Sequence, residues 1–276
     1  MLSYKYKGVE NMKIAMNCRQ DDEYLNKCDE INVDYRDRDY IYDLIDKYPN
    51  KKYVLDLCEE LNIDWDFIDQ LDRVTDNLIL RVGLKTEDII MCSELGYKFF
   101  AGYPINDWAA LKAYVELSPA YIVPAGELFF NLPEVKKYNI PIRVTVNQPY
   151  LSSLITTIDT EMDLTIPSEW IRPDDIDIYA EYVDIIEFAN AEKSKQQTLY
   201  RLYMDQKHWP GSLQMIINGL KTDATCRLIE PELFTRRIDC RRKCLSGGVC
   251  RLCYRLFALA NYDRLKEYKE TVIDNQ

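Results

Sequence analysis

Histidine is nearly missing: His208 is the single one in 276 residues. A Ser/His/Asp triad would depend on it, and a zinc protease needing two histidines on one helix is excluded by count. It lies in Lys207-His208-Trp209-Pro210-Gly211, which reads as a loop packed against Trp209 rather than as a general base. Glycine is also scarce, at nine residues, and no G-x-G-x-x-G turn, Walker A loop or G-x-S-x-G elbow is found. No apolar run approaches the length of a bilayer span, which reads as a cytosolic chain. Positive charge is in deficit, with a net of −11, so the body of the protein is a poor non-specific nucleic-acid binder. Low-complexity tracts and Gly/Ser/Pro-rich linkers are lacking, so no domain boundary announces itself.

Cysteine is present in strength. Cys240, Cys244, Cys250 and Cys253 crowd into the most basic stretch of the chain, where seven Arg and Lys side chains between Arg236 and Arg255 stand against Asp239 alone. That local +6 leaves −17 for the remainder. Cationic neighbours lower thiol pKa values, and thiolates are what a metal binds. Two Cys pairs suit an iron-sulfur cluster or structural zinc. The spacer between Cys244 and Cys250, a tight loop through Gly247-Gly248, is short for a zinc module and favours iron-sulfur, with unligated thiols as the third reading. Cys226 is able to replace a member of the quartet. Nine cysteines, an odd number, and the lack of a leader-like segment argue against an exported disulfide framework. The radical-SAM spacing is absent.

Strand-like and helix-like segments alternate from the N-terminus to about residue 208. The strand candidates are Lys13–Cys18, Glu30–Arg36, Lys51–Leu57, Asn77–Gly83, Lys98–Tyr103, Ala120–Glu127, Ile140–Gln148 and Asp184–Asn190. Between them lie amphipathic stretches, among them Thr86–Leu95 with Thr86 as cap and Asp107–Leu117 with Asn106 as cap. Eight βα periods predict an α/β fold, a (β/α)8 TIM-like barrel over 1–220, followed by a Cys-rich basic metal-binding extension over 221–276. The twenty-one tyrosines are scattered and read as packing residues.

Barrel enzymes carry their sites at the C-terminal ends of the strands. Here those ends turn polar: Asn17, Cys18 and Arg19, then Asp34 and Arg36, Asp56, Arg81, Tyr103, Glu127, Asn147 and Gln148, and finally Glu187 and Asn190. Many of these suit helix caps or buried backbone partners, but as a set they predict one mouth. Arg36, Arg81, Glu127 and Glu187 are its candidate catalytic residues, in a pocket for a small anionic or hydroxylated ligand held by bidentate arginine.

The phrase from Pro167 to Tyr179, Ser-Glu-Trp-Ile-Arg-Pro-Asp-Asp-Ile-Asp-Ile within it, followed by Tyr182 to Phe188 and a long helix, resembles a segment of the collagenase-like peptidase family. Gly247-Gly248-Val249-Cys250-Arg251-Leu252-Cys253-Tyr254-Arg255 is loosely similar to that family's cysteine segment, with Cys250 and Cys253 one residue closer together. The resemblance implies a TIM barrel and, from the family's iron-sulfur relatives, a four-cysteine cluster used to hydroxylate RNA or a small molecule. The expected function is therefore a metal-dependent enzyme acting on RNA or a small molecule, with nucleic-acid contact expected through residues 236–255. The alternative is a non-catalytic interaction or scaffold protein stapled by zinc.

Overall fold

The computed structural model describes residues 12–83, 85–126, 128–147, 171, 173, 176–188 and 193–205. Seven short strands form one sheet: β1 (Lys13–Asn17), β2 (Glu30–Asp34), β3 (Lys52–Asp56), β4 (Leu78–Val82), β5 (Phe99–Ala101), β6 (Arg143–Thr145) and β7 (Ile185–Glu187). Their order is β5-β4-β3-β2-β1-β7-β6, and every pairing is parallel. Parallel neighbours need crossovers, and helices supply them: α1 (Asp22–Lys27), α2 (Tyr40–Lys47), α3 (Trp65–Val74), α4 (Thr86–Glu94), α5 (Trp108–Val115), α6 (Leu132–Val135), α7 (Ile176–Tyr179) and α8 (Lys193–Met204).

Seven of the eight strand candidates are strands. The eighth, around Ala120, makes isolated parallel bridges instead: Ile105 with Pro124, and Ile122 with Ile142. Proline has no N–H to donate and Gly126 sits at φ +54°, so a regular ladder cannot run through this stretch. It still bonds to both sides. Ala120 N donates to Phe99 O (2.7 Å), Ile122 N to Pro141 O (2.9 Å), and Arg143 N to Ile122 O (2.9 Å). The sheet's two edge strands, β5 and β6, are thus joined through one intervening segment.

Strand alternation sorts side chains into two cores. Ile14, Met16, Ile31, Val33, Leu55, Leu80 and Val144 pack with Ile41, Leu44, Ile68 and Leu111 of the helices. Ala15, Val54, Ile79, Phe100, Tyr121, Val123 and Ile185 form a smaller cluster of their own on the other face. That smaller core shares its face with charged and amide side chains, because Glu30 and Asn32 alternate with Ile31 and Val33 on β2, and Arg143 and Thr145 flank Val144 on β6.

Helix starts follow acidic caps. Asp64 Oδ1 accepts from Phe67 N (3.1 Å) before α3, and Asp107 Oδ1 from Ala110 N (2.8 Å) before α5. The cap of α5 is therefore Asp107, one residue beyond the expected Asn106, and Lys85 precedes α4 with Thr86 as its first residue. Among the described residues no helix is long and apolar enough to cross a membrane. The extension at 221–276 lies outside the described residues.

Candidate active site

Because all strands run parallel, their C-terminal ends share one edge of the sheet, and a cavity of about 340 Å³ opens there. Its wall takes Asp34 from the end of β2, Asp56 from β3, Arg81 from β4, Thr145 from β6 and Glu187 from β7, with Arg36, Cys58 and Gly102 just beyond strand ends. Three of the four residues singled out from sequence, Arg36, Arg81 and Glu187, line this one cavity. Glu127 lies outside the described residues, as do Asn190 and all four cysteines of the C-terminal quartet.

Beneath the cavity is a desolvated ion network that the sequence reading did not single out. Arg143, with no exposed surface, donates from Nη1 to Glu30 Oε2 (2.5 Å), from Nη2 to Asn32 Oδ1 (2.9 Å) and from Nε to Glu187 Oε2 (2.9 Å). Tyr121 donates to Glu30 Oε1, and Lys52 Nζ stands 3.8 Å from the same oxygen. The Phe100 ring lies under both guanidinium groups, 5.0 Å from that of Arg143 and 5.2 Å from that of Arg81. A buried charge is tolerated only when paired and hydrogen-bonded, and Arg143, Glu30 and Glu187 meet that condition; Arg81 is paired as well, but its buried Nε lacks a hydrogen-bond partner among the described residues. The signal was available: Glu30, Asn32 and Asp34 recur at every second residue of β2, and Arg143, Thr145 and Asn147 do so through and beyond β6.

Glu187 links this layer to the cavity. It accepts from Asn32 Nδ2 (2.9 Å) and Arg81 Nη2 on one oxygen, and from Arg143 Nε (2.9 Å) and Thr145 Oγ1 (3.4 Å) on the other. Burial opposes its ionisation, but Arg143 and then Arg81 outweigh burial and hold the carboxyl well below the usual carboxylate range. Glu187 is thus a fixed anion, suited to orienting Arg81 and unsuited to trading protons near neutral pH. Arg81 also donates from Nη1 to Asp56 Oδ2 (3.2 Å); burial lowers its pKa, and Glu187 and Asp56 more than reverse that.

At the rim, Arg36 grips Asp34 from Nε (2.9 Å) and Nη2 (2.6 Å), and its hydrogen bonds hold the Asp34 carboxyl low. Cys58 is the reverse case: burial, then Asp56, pushes its thiol well above the ordinary value, so it is not a ready nucleophile. The cavity also depends on Gly102 having no side chain, since a Cβ there would stand 1.9 Å from Cys58 Sγ and 2.9 Å from Arg81 Cγ.

No family model and no curated protein matches the chain. Among solved structures, DHPS of Yersinia pestis with a pterine-sulfa conjugate aligns at a TM-score of 0.41 and 9% identity, over 72% of this chain and 95% of that one. A likeness at that level carries no argument about ligand or activity, and the site stands on its own geometry.

That geometry favours binding and orientation over proton transfer. Asp34, Cys58, Arg81 and Glu187 all keep one protonation state near neutral pH. Among the described residues no group of three or more His, Cys, Asp or Glu converges as a metal site; Cys18, Cys28, Cys58 and Cys92 are separate thiols.

Proposed function

We propose that the chain is a (β/α)8-barrel enzyme that binds a small molecule at the C-terminal mouth of its strands and modifies it with the help of a metal centre. The seven strands and the bridged segment around Ala120 supply eight parallel members. The observation that carries the reading is the cavity of about 340 Å³ walled by residues from the ends of five strands. Its size suits one small ligand. In this reading Glu187 and Asp56 set the angle of Arg81, Phe100 supports the guanidinium from below, and Arg81 and Arg36 meet the ligand.

The metal centre is placed on Cys240, Cys244, Cys250 and Cys253, with iron-sulfur preferred and zinc as the alternative, from spacing and from the resemblance to the collagenase-like peptidase family's relatives. Such a cluster supplies one-electron transfer when bound. The lining described above provides no histidine, which agrees with chemistry carried by a cofactor. A small-molecule substrate is preferred to RNA because the mouth is acidic, so any RNA contact falls to residues 236–255. A cytosolic location goes with this reading. The scaffold alternative draws on the internally paired ion network, which would also serve a barrel that only holds its shape.

The test is anaerobic purification with iron and zinc analysis, followed by incubation of the protein and a reductant with a metabolite extract. The expected result is bound iron and one small compound consumed by the wild type but not by Arg81→Met. Zinc in place of iron, with no compound consumed, would favour the scaffold.

A further inference from the structure

The mouth's charge selects among ligands. Five carboxylates and two guanidinium groups line it, a net of −3. Both guanidinium groups are already engaged: Arg36 by Asp34 through two N–H groups, with Glu59 at 3.6 Å, and Arg81 by Asp56 and Glu187. An anionic ligand would meet guanidinium groups whose charge is already neutralised by neighbouring carboxylates, and would face the surplus negative charge. Glu60, half-buried in the same wall, has no cationic partner within 4.0 Å among the described residues. Tyr103, an exposed ring in the wall, offers a face to a cation.

We infer that the molecule this mouth accepts carries a positively charged nitrogen together with hydroxyl groups, as an amino sugar or hydroxylated amine does, and is not a phosphate or carboxylate. Of the anionic or hydroxylated ligand expected from sequence it keeps the hydroxyl groups and replaces the anion by a cation, because the carboxylates around Arg36 and Arg81 leave the mouth net negative. It rests on the reading of the mouth as the ligand site. Glu60 and Asp56 receive the ammonium group, and the second N–H of Arg81 Nη1 and of Nη2, not used by Asp56 and Glu187, donate to hydroxyl oxygens.

Chemical-shift titration of the full-length protein tests it, with glucosamine and inorganic phosphate as probes and the amides of Cys58, Gly102 and Tyr103 as reporters. Glucosamine should move these three amides and phosphate should not. Glu60→Gln should weaken the glucosamine response roughly fivefold, the effect of one unit charge a few ångströms away in a wet cleft. Phosphate moving the three amides at equal or lower concentration than glucosamine would overturn the charge assignment while leaving the mouth as a ligand site. Neither probe moving them would overturn both.

Discussion

Replacing Arg143 by methionine is the sharpest perturbation of the interior. Arg143 is fully buried and holds Glu30, Asn32 and Glu187 at 2.5 to 2.9 Å. Methionine fills similar space but leaves Glu30 with Tyr121 and the more distant Lys52, and Glu187 with Arg81 as its remaining cation. Breaking a buried pair from one side costs about 3–5 kcal/mol. For a protein of this size that lowers the melting temperature by on the order of 10 °C.

The loss depends on pH. In the wild type the depressed Glu187 pKa contributes stability that is complete above the unfolded value of about 4.3 and is lost as pH falls through the folded value. Without Arg143 the folded value rises, since burial is opposed by less positive charge. The deficit of Arg143→Met is therefore largest at pH 8 and shrinks as pH falls through the variant's raised value. Calorimetry or urea melts at pH 8, 6.5 and 5 measure it. Arg143→Met/Glu187→Gln should recover part of the loss. A deficit below about 1 kcal/mol that does not change with pH would refute the desolvated network.

Three further outcomes follow from local geometry. Gly102→Ala should destabilise by about 1–3 kcal/mol through the clash with Cys58 and Arg81, and Cys58→Ala in the same chain should restore much of it in thermal melts. Asp107→Ala removes the acceptor for Ala110 N and should cost about 1 kcal/mol in urea unfolding, with the mouth unaffected. Cys18 is buried, and burial, with Asp37 next, pushes its thiol up to about 11, so iodoacetamide at pH 8 should leave it unmodified in the folded protein and label it in urea.

The strand pattern was readable from sequence because the signal is local: apolar runs such as Val54-Leu55 and Leu78-Ile79-Leu80 between helix caps place β3 and β4 to within a residue or two. Around Ala120 the same signal overreached, since Pro124 and Gly126 break the ladder without changing the composition. Arg36, Arg81 and Glu187 were legible as strand-end residues. For Glu30 and Arg143 the sequence carries the polar alternation but not the pairing, and for Tyr121 neither, because their role depends on which strands lie across the sheet from one another, as β2 and β6 do. The same long-range pairing gives the arginines carboxylate partners inside the wall that the sequence does not show. Asp34 beside Arg36 is a local hint of this, but Glu187 with Arg81 is visible only in the fold.

The claim that the mouth is a ligand site is tested most directly by affinity mass spectrometry of a metabolite extract passed over the wild type, Arg81→Met and Lys137→Ala, the last a change at an exposed pair with Glu134 outside the cavity wall. One small compound should be retained by the wild type and by Lys137→Ala and lost by Arg81→Met. Equal retention by all three, or no retained compound, would contradict it.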